Sequence, residues 1–112
     1  PALLDLCRLR MAQILGCPAR PRPDAGVSAA QFAALEGWRK DDSFAPVERA
    51  CLHLAEKFVL DPHGVGDEDA AAVTRHLGDA GMVALVEALA LFDGFLRFGA
   101  ILGAEAEGGE RA

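Results

Sequence analysis

The sequence predicts an all-α fold, and three observations carry that prediction. Apolar residues recur every three or four positions along most of the chain. Proline, glycine and short polar residues gather at a few points between those stretches, where helices stop. Ser28, Pro46 and Asp67 stand where helices start. The expected architecture is a bundle of about five helices ending in a long apolar one.

Ala2 to Leu15 reads as the first helix, with Leu3, Leu6, Leu9/Arg10 and Gln13/Ile14 on its repeat. Asp5 lies in its first turn, where a negative charge suits the helix dipole. Gly16 marks the end. Pro18, Pro21 and Pro23 then rule out a continuous helix, because each lacks a donor and restricts the residue before it. Ser28 with Gln31 three residues on forms a capping box for a second helix. Phe32, Leu35 and Trp38 supply its apolar stripe, and Lys40 to Ser43 ends it.

Pro46 opens a third helix with Glu48 in its first turn and Val47, Cys51, Leu54, Ala55 and Phe58 on its apolar face. Asp61 to Gly64 closes it. Asp67 caps a short fourth helix to about Leu77, carrying Ala70, Val73 and Leu77. The last helix runs from Ala80 to about Leu102 and is apolar except for Glu87, Asp93 and Arg97. At about 34 Å it is long enough to cross a membrane. Charged groups near the middle of such a span cost about 2.5–3.5 kcal/mol each, so membrane insertion is not expected. Glu87, Ala90, Asp93, Gly94 and Arg97 share about a third of the helical circumference, and the rest is apolar. That ratio places the helix at the centre of the bundle and in a subunit interface. Residues 1–104 form one domain, and 105–112 form an acidic, frayed tail.

The chain has 112 residues, of which 52% are hydrophobic and 25% charged, which is globular rather than disordered. Much of the apolar share is alanine, which buries little area by itself. Such helices need neighbours, so a homo-oligomer is expected. The net charge of −6 argues against nucleic acid. Asp5, Arg8 and Arg10 interrupt the first apolar run, so it does not read as a signal peptide. Cys7, Cys17 and Cys51 make no disulfide framework, and the expected compartment is the reducing cytoplasm. A Cys7–Cys17 bridge is disfavoured, since ten helical residues rise about 15 Å.

Asp5 to Cys17 reads Asp-Leu-Cys-Arg-Leu-Arg-Met-Ala-Gln-Ile-Leu-Gly-Cys. Glu48 to Glu56 reads Glu-Arg-Ala-Cys-Leu-His-Leu-Ala-Glu. Gly26-Val27-Ser28, Trp38, Asp67-Glu68-Asp69 and a long helix bearing Arg97 follow in a fixed order with these. Together they resemble the carboxymuconolactone decarboxylase-like family, which includes the AhpD alkylhydroperoxidases, from Leu4 to about Leu102. That family's motif runs from a glutamate through "LRxAxxxGC" into Cys-x-x-Cys-x-x-x-His. The resemblance implies an AhpD-like helical bundle, a homo-oligomer, and a peroxidase cycle in which a hydroperoxide oxidises one thiol, a second closes a disulfide and a partner reduces it. No cofactor and no metal are implied.

On that pattern Asp5 falls where the glutamate stands and Cys17 where the first cysteine stands. Arg20 occupies the second cysteine's place, and Asp24 falls nominally at the histidine. The stretch from Arg20 to Gly26 is shorter than the family's by about two helical turns, so the dithiol cycle cannot run here as it does there.

The candidate catalytic residues are therefore Cys17, as a lone thiol, and Asp5, as a proton relay. Arg20 and Arg22 are nearby cations of the kind that favour a thiolate. The competing reading makes Cys17 a small packed hydrophobe and Asp5 a first-turn charge paired with Arg8. Arg20, Glu87 and Arg97 are candidate pocket residues, against a plain polar network or pore-lining stripe. Cys7, Cys51 and Trp38 read as core. His53, His63 and His76 lie on separate segments without ligand spacing. Three functions follow: a peroxidase-like enzyme using Cys17 with an external thiol reductant, a non-catalytic oligomeric or small-molecule-binding relative, and a cysteine-independent lyase.

Overall fold

The computed structural model describes residues 2–101, so the expected tail at 105–112 and the end of the last helix at Leu102 lie outside the described residues. Those residues form four α-helices with no strand: α1 (Ala2–Leu15), α2 (Ala29–Ala34), α3 (Pro46–Leu60) and α4 (Asp67–Ile101). Short 3-10 turns lie at Leu35–Lys40 and Pro62–Gly64. The all-helical expectation stands, and the first and third helices keep their expected bounds.

Two elements differ from expectation. The second helix stops after six residues and continues as the tighter turn Leu35–Lys40, where Gly37 leaves the helical region (φ −107, ψ 32). Its N-terminus is capped as expected, with Ser28 Oγ accepting from the Gln31 N–H at 3.0 Å. The Gln31 side chain does not complete the box; it donates to the Ser43 carbonyl at 2.9 Å and tethers the next loop instead. The reach-back half of a capping box occurs on α3, where Glu48 Oε1 accepts from the Ala45 N–H at 2.8 Å.

The second difference lies in α4. The sequence expects two helices meeting between Leu77 and Ala80, and the structure joins two helical stretches there into one 35-residue element with no intervening loop. It is kinked at Gly78 (φ 75, ψ 174), a conformation that is essentially restricted to glycine. The kink falls where the sequence placed the boundary. Among the described residues no helix is long and apolar enough to cross a membrane.

The centre of the molecule is also not where the sequence put it. α1 and α3 form the middle layer, with Leu6, Cys7, Leu9 and Met11 of α1 and Cys51, Leu52, Leu54 and Ala55 of α3 fully buried. α4 covers one side through Val73, Leu85, Leu89 and Leu96. Leu35, Trp38 and Phe44 cover the other, against Leu6, Leu9 and Leu52. Each buried leucine contributes about 2 kcal/mol through removal of its apolar surface from water. Small residues at Cys7, Ala12, Cys51 and Ala55 bring α1 and α3 into contact with α4 in one cluster.

The apolar two-thirds of the last helical stretch is therefore split. Leu85, Leu89 and Leu96 face the core, while Val83, Leu91, Phe95, Phe98 and Ile101 are exposed. The central position expected for this helix is corrected: it is an outer layer with a covered face and an open one.

Candidate functional site

Cys17 owes its place to the way α1 ends. Gly16 adopts a left-handed φ of 73°, which reverses the chain. The Gly16 N–H donates to the Gln13 carbonyl at 3.2 Å and the Cys17 N–H to the Ala12 carbonyl at 2.8 Å. Those two bonds form a Schellman motif, and the apolar residue following the glycine packs back on the helix, as Cys17 does on the core cluster that holds Ala12. A Gly-Cys pair at this point is explained by helix capping alone.

The thiol is partly buried, with Sγ 3.6 Å from the Leu96 carbonyl oxygen of α4 and 3.9 Å from that of Leu15. It faces carbonyl oxygens rather than a guanidinium. Reactive cysteines sit in electropositive surroundings, and of the two arginines expected to supply them Arg22 is turned to another partner. Arg22 donates its backbone N–H to Asp5 at 2.9 Å and brings its side chain to 3.6 Å from the same carboxylate. Arg20 is exposed, and its carbonyl accepts from Arg8 at 2.6 Å.

Asp5 is 3% exposed and fully engaged. Arg8 donates Nε to its Oδ1 at 2.9 Å, and Arg22 N–H takes its other oxygen. Paired with Arg8 as one of the two sequence readings held, Asp5 clamps the proline-rich connector onto α1. Between Asp5 and Leu15 the helix rises about 15 Å, so Asp5 and Cys17 lie at opposite ends of α1. A shallow depression of about 360 Å³ beside Asp5 is lined by Leu4, Arg22, Asp24, Ala25 and Phe92. Neither Glu87 nor Arg97 reaches it. Both are exposed, and Arg97 pairs with Asp93 at 2.9 Å one turn back. Among the described residues, the depression beside Asp5 is not lined by Cys17, Glu87 or Arg97.

Cys7 and Cys51 are core, as expected. Burial, with the Cys51 thiol nearby, pushes Cys7 far above the usual thiol range. Burial and the Glu48 charge raise Cys51 to about 11.

Among the described residues, an extended polar network centres on Glu56 of α3. Its Oε2 accepts from Arg10 Nε at 2.8 Å and Trp38 Nε1 at 2.9 Å, and its Oε1 from Arg39 at 2.6 Å. Burial pushes this carboxyl up, but the hydrogen bonds from Arg10 and Trp38 and the two arginine charges outweigh it and hold it below the usual range. Arg39 also stacks on the Trp38 ring at 4.3 Å and lies 3.1 Å from His53 Nδ1. His53 Nε2 lies 2.9 Å from Asp69, which in turn accepts from Lys57 at 3.0 Å and the Gly66 N–H at 2.9 Å. A guanidinium only donates, so its contact makes His53 Nδ1 the acceptor and leaves the ring proton on Nε2, facing Asp69.

A depression of about 410 Å³ over this network is lined by Arg10, Glu36, Trp38, Arg39, Lys40 and Glu56. The sequence pattern alone gives none of these a functional role. The available signal was the spacing of His53, Glu56 and Lys57 on one face of α3, whereas their partners come from distant segments. Among the described residues no group of three or more His, Cys, Asp or Glu is placed to hold a metal ion. No protein-family model matches the chain, and no curated protein does.

Proposed function

We propose that the chain is a diverged AhpD-like, carboxymuconolactone decarboxylase-like helical module that acts by self-association rather than by dithiol chemistry. The observation that carries this reading is the open apolar face of α4. Leu91 is 61% exposed, Phe95 73% and Phe98 62%, on one side of a helix whose other side is packed. Contiguous exposed apolar surface of this kind marks interaction sites rather than free solvent-facing helix. The capped, carbonyl-facing Cys17 and the connector clamp at Asp5 support the same reading, since each residue has a structural occupation. Sedimentation velocity across a concentration series tests it. A mass above the monomer that falls on dilution is expected; a monomer at every concentration overturns it.

One observation favours peroxidase-like chemistry as the second reading. Cys17 is the thiol with surface access, while Cys7 and Cys51 are buried. In that reading the Cys17 thiolate attacks a hydroperoxide oxygen, giving a sulfenic acid and an alcohol, and an external thiol reduces it in two steps. Thiol-dependent peroxide consumption by wild type and Cys17→Ser decides it: equal rates end the reading.

A further inference from the structure

We infer that the partner of the open α4 face is a second copy of this chain, packed antiparallel across a two-fold axis beside Phe92, with Glu87 of each copy paired to Arg97 of the other. The inference rests on the self-association reading and specifies its geometry.

At about 100° per residue, Val83, Leu91, Phe95, Phe98 and Ile101 fall on one arc of about 120°, with Ala84 and Gly94 between them and Ala88 just beyond Phe95. The arc is apolar except for Glu87, an exposed carboxylate with no hydrogen-bond partner among the described residues. Covering this face strands that charge unless the cover supplies a cation, because an unpaired buried carboxylate is strongly disfavoured. The nearest cation on the same flank of the same helix is Arg97, itself exposed and held at the edge of the stripe by Asp93.

Glu87 and Arg97 are about 15 Å apart along the axis, too far to meet within one copy. A two-fold axis perpendicular to two antiparallel helices brings each flank onto the same flank of its mate, at mirrored height. With that axis midway between the two residues, beside Phe92, Glu87 of each copy lies level with Arg97 of the other. The same register sets Phe95 over Ala88 and Leu91 of the second copy, where the alanine leaves room for the ring. One operation therefore satisfies the stranded charge twice and seats Phe95, the more exposed of the two open phenylalanines. An isologous contact of this kind closes on itself and stops at the dimer.

Charge reversal tests the register. Glu87→Arg is expected to raise the dimer dissociation constant about tenfold, because two like-charge contacts replace two attractive ones. Arg97→Glu is expected to act in the same direction, and the double variant Glu87→Arg/Arg97→Glu to return to within about threefold of wild type. Both positions are exposed, and far-ultraviolet circular dichroism on each variant verifies that helix content is kept. A dimer that Glu87→Arg leaves unchanged, or a double variant no tighter than the weaker single, overturns this register and leaves self-association standing. A monomeric wild type overturns both.

Discussion

The backbone N–H of Arg22 donates to the Asp5 carboxylate at 2.9 Å, joining the connector after α1 to the first turn of the same helix. The bond explains how a segment broken by three prolines stays ordered without secondary structure of its own. Its acceptor is a buried charge, and its other oxygen is held by Arg8. Asp5 therefore belongs to the architecture of the 17–26 segment.

Asp5→Ala should cost about 3 kcal/mol, because it strands the buried Arg8 guanidinium and frees the connector. Asp5→Asn keeps an acceptor for the Arg22 N–H and should cost less. Urea denaturation midpoints of the two variants test this ordering. Equal midpoints for wild type and Asp5→Ala would remove the clamp from the account.

Gly16 gives a prediction about backbone rather than side chains. At φ 73 an alanine is strained although nothing lies within 4 Å of its Cβ. Gly16→Ala is expected to lower stability by about 1 kcal/mol through the left-handed conformation alone. Thermal melts compare it with Gly37→Ala, which has negative φ and equal space and should lower stability less.

The helices were legible in the sequence because they depend on local signals. Pro46, Gly16 and the run Asp61-Pro62-His63-Gly64 act within a few residues, and the structure starts and stops helices where they stand. The Gly78 kink was legible for the same reason. The layering was not. α4 looks more apolar than α1 or α3, so periodicity places it at the centre, yet its apolar surface is divided between the core and an open face. A sequence does not distinguish surface buried within one chain from surface awaiting another. The Glu56 network was illegible because Arg10 and Trp38 reach it across 46 and 18 positions. The Asp5–Arg8 pair lies three residues apart and was readable.

Trp38 combines packing with one hydrogen bond, and the two are separable. Trp38→Phe keeps most of the apolar contact with Leu35, Phe44 and Leu52 and removes the donor to Glu56. Because Arg10 and Arg39 still hold that carboxylate, the loss should be about 1–2 kcal/mol. Trp38→Ala also opens a cavity and should cost about 3–5 kcal/mol. Guanidinium unfolding checks both; a Trp38→Phe loss as large as that of Trp38→Ala would mean the indole N–H dominates.

Asp69 sets the acid limit of the loop between α3 and α4. The Gly66 N–H, then the Lys57 ammonium, hold its carboxyl down at about 2, with His53 adding a further hydrogen bond. Its folded value lies below that of an unfolded aspartate, near 3.9. The stability it contributes is therefore complete above about pH 4 and is lost as the pH falls toward 2. Asp69→Asn should remove that contribution, so melting temperatures of wild type and variant should differ at pH 6 and converge as the pH approaches 2. Curves that stay parallel down to pH 2 would show that Asp69 is not the titrating group, and would assign the acid loss to another paired carboxylate such as Glu56.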